Sequence, residues 1–295
     1  MNKDEKIVKL KLDIIFKRVF GNEKNEKIIA AFISDLLDIP RESIKSVVIN
    51  NVELAPQYLN QKFSRLDLKM NVDGKIVNIE IQVNRETYFK ERTLFYWSKL
   101  YSDELGAGDD YGKLKQTICI NIINFNLFDC EEYHSHFKIL ENDRGEQLTD
   151  KFAIHFFELK KVNKSKKSSR QEDWLKLIDA ETEGDLMALQ STTNIPEVQN
   201  TIVKIRELSA DEKIRWEAFY REKRLHDEAT ALGGARREGR AEGEAIGIAK
   251  GRTEGRAEGR AEGRAELKAE YLQLMRQKGF SEEQIRSLSE GLNND

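Results

Sequence analysis

Two cysteines in 295 residues cannot build a disulfide framework. Cys119 sits in an apolar run and Cys130 beside acids, positions too unlike to imply a pair. Long apolar runs are missing as well: nothing approaches the roughly 20 residues that a membrane helix needs. The opening MNKDEKIVKLKLD interleaves charges with apolar residues, unlike a secretory leader. These absences point to a cytoplasmic protein with no membrane partner. A basic excess is also lacking, since 49 Lys and Arg face 52 Asp and Glu and the net charge is −3. Nucleic acid would therefore have to be held by local patches and not by the field of the whole chain. What is present, 39% hydrophobic and 34% charged residues in 34.2 kDa, suffices for one α/β domain with a sizeable core and a smaller helical part.

The stretch Ser64 to Gln82, SRLDLKMNVDGKIVNIEIQ, reads as a β-hairpin. Asp73-Gly74 is a strong signal for a two-residue I′ turn, which needs φ > 0 at both central positions. With that turn, Val72 faces Lys75, Met70 faces Val77, Leu68 faces Ile79 and Leu66 faces Ile81, an apolar face of period 2. On the other face Asp67 then stands opposite Glu80. Facing carboxylates repel, and a hard divalent cation with oxygen ligands relieves them. Lys69 and Arg65 on the same face offer the other account, a charged, solvated sheet surface.

Asp67 followed by Glu80-Ile81-Gln82 on the next strand resembles the PD-(D/E)XK nuclease core in the variant where glutamine replaces the lysine. The flanking segments LDIIFKRVFG at 12–21, WSKLY at 97–101 and IHFFELKK at 154–161 are similar to those of the recombination-promoting nuclease, or transposase-like PD-(D/E)XK, family of bacteria. The resemblance spans roughly residues 8–165 and extends loosely to the Gly-Arg-Ala-Glu tail. It implies a restriction-endonuclease-like α/β core, a mixed sheet flanked by helices, followed by a C-terminal helical region and a repetitive tail. It also implies a DNA endonuclease using Mg²⁺ or Mn²⁺, held by Asp67, Glu80 and the carbonyl of Ile81. Gln82 stands at the lysine position, and Asp13 matches the acid that the family carries on its first helix. An amide can orient a water but cannot take its proton at neutral pH, so a catalytically weak or inactive DNA-binding or assembly protein is the alternative.

Around the hairpin, helical spacing predicts Asp13 to Gly21 and Glu26 to Leu37, with Asp13 as an ordinary N-cap in the simplest reading. Ile44 to Leu54 reads as the preceding strand and Tyr88 to Leu105 as a helix, with Trp97, Leu100 and Tyr101 packing in the core. Arg85 just before it and Arg92 and Lys99 on it read as solvated charges, with contact to phosphates as the alternative. Gln116 to Phe125 and Phe152 to Leu159 are buried strands. CEEYHSH, with Cys130, His134 and His136, lacks a fourth zinc ligand and reads as a mobile loop, and His155 as a hydrogen-bonded structural residue. Residues 160–170, KKVNKSKKSSR, read as a solvated basic linker or a phosphate-contacting arm.

Domains are expected at 1–165, 171–232, 233–270 and 271–295. The second is helical, with Trp174, Leu175, Ile178, Ile202, Ile205, Ile214, Trp216 and Phe219 as packing positions; it either covers the core or forms its own bundle. From Gly239 to Gly263 glycine recurs every fourth residue. Each glycine costs a helix about 1 kcal/mol, so the tail is either disordered or self-associates through its Gly/Ala groove into a homo-oligomer. Ser281-x-x-Gln284 is a capping box opening a final helix.

Overall fold

The computed structural model describes residues 3–50, 53–54, 64–65, 68–162 and 169–285. It contains two compact units, Met1–Asp227 and Glu228–Asp295. The first begins with helix α1, Asp13–Phe20, and α2, Glu26–Leu37, whose apolar faces meet in a ring cluster of Phe16, Phe20 and Phe32. Gly21 ends α1 where a side chain has no room. A Cβ there would lie 2.5 Å from the Lys17 carbonyl oxygen and 3.1 Å from Leu68. α2 stops before Pro40 with Asp38 in the left-handed region, φ 53°.

Strand β1 is Val47–Ile49, followed by the short pair β2, Glu53–Leu54, and β3, Ser64–Arg65. The hairpin consists of β4, Leu68–Val72, and β5, Lys75–Gln82. Its turn is the one the sequence predicts, with φ 50° at Asp73 and 80° at Gly74. The register agrees too: Val72 pairs with Lys75, Met70 with Val77 and Leu68 with Ile79. The expected pairings of Leu66 and Asp67 lie outside the described residues. Asp73 does more than turn the chain, because its carboxylate accepts the backbone N–H groups of Lys45 and Ser46 at 3.0 and 2.9 Å. Those bonds, Lys45 foremost, hold the carboxyl below the usual range and fasten β1 beside β4.

Helix α3, Phe89–Ser102, crosses back to β6, Thr117–Ile123, which runs parallel to β5. Then come an edge strand β7, His134–Phe137, and β8, Phe152–Glu158. The sheet order β1-β4-β5-β6-β8-β7 is mixed, antiparallel at both edges and parallel through β5, β6 and β8. β5, β6 and β8 are buried on both faces because helices cover both. Val77, Ile79 and Ile81 face α1 and α2, whereas Ile76 belongs with Cys119, Phe156, Phe89 and Leu100 on the α3 side. The loop expected at CEEYHSH is thus partly strand β7, recruited by pairing with β8.

The remaining helices are α4, Leu159–Val162, α5, Arg170–Asp179, α6, Glu183–Thr192, α7, Pro196–Ala210, and α8, Glu212–Gln277. Trp174, Ile178, Leu186, Ile202 and Ile205 join the same core as α1 and α2, so this region covers the sheet domain and is not a separate bundle. Trp174 packs against Phe20 and Phe32, and its Nε1 donates to Asp35 at 2.8 Å. Trp216 and Phe219, expected to pack, are instead exposed, because α8 turns Ile214, Ala218 and Leu225 inward. The basic run is also not all solvent-facing. Lys161 is buried against Glu158 at 2.6 Å and Arg170 pairs with Asp35 at 2.5 Å; residues 163–168 lie outside the described ones.

In the second unit α8 stays helical through the glycine repeat to Gln277. The disordered reading underestimated two things. Alanine, glutamate and arginine between the glycines are strong helix formers, and i,i+4 pairs such as Arg240–Glu244 and Lys250–Glu254 add to them. The helix also continues from an earlier segment and needs no nucleus of its own. Gly279, φ 85°, follows its end, and the Ser281–Gln284 capping box forms with bonds of 3.0 and 3.3 Å. Among the described residues no helix is long and apolar enough to cross a membrane.

Candidate active site

The backbone of β5 decides where its carbonyls point. The Ile76 N–H bonds to Gln116 and the Gln82 carbonyl accepts from Asn124, so even-numbered residues spend their backbone groups on β6. The odd ones that pair, Lys75, Val77 and Ile79, turn theirs towards β4, and the alternation turns Ile81 to the same side of the strand, while the Ile81 side chain is buried in the main core. Glu80 and Gln82 project to the other face, at the end of the strand. There a cavity of about 360 Å³ is lined by Asp13 and Lys17 of α1, by Glu80, Ile81 and Gln82, by Arg92 and Tyr96 of α3, and by Arg221 and Arg224 of α8.

Four predicted residues thus share one cavity: Asp13, Glu80, Ile81 and Gln82. Asp67 lies outside the described residues. Asp13 is not the N-cap. That position is Leu12, and Asp13 begins the helix with its carboxylate held by Arg221, Nε to Oδ1 2.6 Å and a terminal nitrogen to Oδ2 3.0 Å. Glu80 is 7% exposed, and one of its oxygens lies 3.7 Å from Arg92. Gln82 is fully engaged: its Oε1 accepts from Arg92 at 3.0 Å, and its Nε2 donates to the Asn84 carbonyl at 2.9 Å and to Glu86 at 3.2 Å. Arg92 is therefore no solvated helix charge. It also pairs with Glu86 at 2.5 Å and lies over the rings of Phe89 and Tyr96.

Sequence reasoning missed Lys17, Tyr96, Arg221 and Arg224. Arg221 is 208 positions from its partner in a segment of alternating acids and bases, where no local signal marks it. Only the i,i+3 spacing of Arg221 and Arg224 hints that both share a helix side.

The described oxygen groups that line the cavity, the Asp13 and Glu80 carboxylates and the backbone of Ile81, are of a kind that would suit a hard divalent cation and not a thiophilic one. Among the described residues no group of three or more His, Cys, Asp or Glu side chains is arranged to hold a metal. That includes His134, His136 and His155, which line a larger cavity of about 750 Å³ at the starts of β5, β6 and β8. Their rings stack, and His134 Nε2 shares a 3.0 Å hydrogen bond with His155 Nδ1 instead of converging on an ion. Burial pushes His134 down to about 4 and His155 to about 3, so both are neutral near pH 7.

A family model described as PD-(D/E)XK nuclease family transposase matches residues 10–235. The chain belongs to that family. The match runs through every helix and strand that lines the small cavity, from Asp13 to Arg224. As a PD-(D/E)XK family member it has a nuclease or transposition-related function, within a group of hydrolases that generally use divalent metal ions. Comparison with curated proteins and with solved structures finds no match.

Proposed function

We propose that this PD-(D/E)XK protein is a cytoplasmic, divalent-cation-dependent DNA endonuclease, related to recombination or transposition. The observation that carries the reading is the convergence of Glu80, Ile81, Gln82 and Asp13 on one cavity at the end of β5. Asp67, next in sequence to Leu68, and Glu80 would hold Mg²⁺ or Mn²⁺ with the Ile81 carbonyl. When bound, the cation supplies a more acidic water and offsets charge developing on the attacked phosphate. Gln82 plays a different part from a lysine. Its amide is occupied by Arg92, Asn84 and Glu86, so it positions the Arg92 guanidinium and leaves the proton of the attacking water to another water or to the substrate phosphate. Arg92, Arg221, Arg224 and Lys17 give the cavity the positive charge that the chain as a whole lacks.

The test compares purified wild type, Asp67→Ala and Glu80→Ala on plasmid DNA, with Mg²⁺ and with EDTA. Cleavage by wild type with Mg²⁺ alone is expected, with loss in both variants. The extra thermal stability that saturating Mg²⁺ gives should vanish with it, since a ligand of the native state adds RT ln(1 + [L]/Kd). Equal cleavage by all three proteins would sink the assignment.

One observation favours a second reading, a DNA-binding or assembly protein that has lost the chemistry: both cavity carboxylates already have arginine neighbours. Under that reading wild type binds DNA, cleaves none, and gains no stability from Mg²⁺. For either reading we propose that residues 239–266 promote self-association, because the glycine period leaves open space around each of its seven glycines.

A further inference from the structure

We propose that the outward face of α8 from Trp216 to Arg224 is a docking surface for an unpaired strand of the DNA substrate leading out of the cavity. The proposal rests on the nuclease reading above and names the form of DNA that the site takes. Trp216, Phe219 and Tyr220 are 53%, 53% and 62% exposed, although large aromatic side chains are normally drawn into a core. They form a patch: Trp216 stacks on Tyr220 with centroids 5.9 Å apart and meets Phe219 edge-on at 5.8 Å. The buried side of the same helix is fixed by Ala218 and by ion pairs of Glu217 with Arg18 and Glu222 with Lys9, so the aromatic side cannot roll inward.

Charge and continuity identify the occupant. At 100° per residue, Arg221 lies beside the inward face, Glu217, Arg224 and Lys213 come next round the helix, and Tyr220 and Trp216 follow on the outside. Arg221 and Arg224 line the candidate catalytic cavity, so the sequence of side chains runs from the cavity to open solvent. Lys213, Arg215 and Lys223 are exposed on the same turns and outnumber the exposed Glu212, whereas Glu217 and Glu222 are committed to Arg18 and Lys9. Cations that meet phosphates beside rings that meet bases are the combination that binds single strands; within a duplex the neighbouring base pairs cover the ring faces. An apolar partner would not call for the exposed Lys213, Arg215 and Lys223 around three rings.

The experiment measures anisotropy of a fluorescein-labelled oligothymidine and of a blunt duplex of equal length, in EDTA, with the full chain. Wild type should bind the single strand, and binding should quench Trp216 emission. Trp216→Ala/Tyr220→Ala should weaken single-strand binding at least about tenfold and leave duplex binding unchanged. Trp216→Phe/Tyr220→Phe, which keeps both rings, should restore the affinity without the quenching, and so separates stacking from a folding defect. Single-strand binding by the alanine variant equal to that of wild type, in a protein that cleaves plasmid with Mg²⁺, overturns the docking surface alone. A wild type that neither binds either probe nor cleaves DNA overturns the nuclease reading with it. A wild-type dimer that the alanine variant dissolves in sedimentation assigns the patch to a second copy and also overturns the proposal.

Discussion

Arg221 grips Asp13 through two parallel hydrogen bonds, 2.6 and 3.0 Å, and so ties α8 to the first helix of the domain. Flanking rungs, Arg18 with Glu217 and Lys9 with Glu222, edge the apolar contact of Ile214, Ala218 and Leu225 with charge pairs. The guanidinium thus neutralises an acid that the family resemblance places near the cation. If Asp13 helps to hold the cation, cation and guanidinium compete for the same oxygens.

That competition gives a stability test. Both side chains of the pair keep about a fifth to a quarter of their exposure, 19% and 25%, so solvent screening limits its worth. Arg221→Ala should cost about 1 kcal/mol in EDTA, within the range for a bidentate, partly exposed pair. In saturating Mg²⁺ the cost should shrink, because the cation replaces the lost countercharge. Urea unfolding in both buffers measures the difference; an equal cost in both removes Asp13 from the cation site.

A larger effect is expected on the far side of the sheet. Glu158 is wholly buried, with one oxygen accepting the N–H groups of Leu127 and Phe128 and the other paired to Lys161. Lys161→Met keeps most of the volume but strands a buried carboxylate. Removing one member of such a pair costs about 3–5 kcal/mol. Urea unfolding of the variant should show that loss, whereas Lys160→Met, at an exposed position, should change little.

These cases show what was legible in the sequence. The hairpin register and its turn were readable because period 2 and Asp73-Gly74 are local signals, and the segment order carried the family and its mixed sheet. Glu80 and Gln82 were readable for the same reason. Arg221 and Arg92 were not, because a charged residue on a helix looks the same whether it faces water or a carboxylate brought in from another element. Trp216 and Phe219 misled in the opposite sense: helical spacing marks an apolar face, but only packing reveals whether anything covers it. Strand β7 escaped because His134 to Phe137 gains its conformation from pairing with β8 and not from its own propensity.

For the tail, the full chain and a chain ending near Ala235 should differ in oligomeric state. Seven glycines at period four wind slowly round α8 and leave a groove flanked by arginine and glutamate ridges. Paired between chains, such ridges satisfy charges that repel within one. Light scattering gives both masses directly, and two monomers of the expected sizes would refute self-association. Raised salt should loosen an assembly of this kind, since its pairs are exposed.

The histidine cluster predicts an acid-sensitive sheet edge. His134 and His155 have folded values of about 4 and about 3, mainly through burial, and His136 is also lowered by burial and then by Lys138. Unfolded histidine titrates near 6.5, so between that value and the folded ones the unfolded chain binds more protons and stability falls as pH is lowered. The contribution is complete above about pH 6.5 and is lost as pH drops through about 4 towards 3. Solvent screening at the partly exposed His134 limits the loss to on the order of 3 kcal/mol for the pair. Asp38, Asp150 and Lys75 line the same cavity, and Lys138 reinforces the effect by lowering His136 and His155. Carboxylates elsewhere also titrate in this window, so the test is a comparison of slopes. Wild type and His134→Gln/His155→Gln would be unfolded in urea at steps from pH 7 to pH 4. Wild type should lose stability more steeply below 6.5, and parallel slopes would show that the cluster is not the sensitive element.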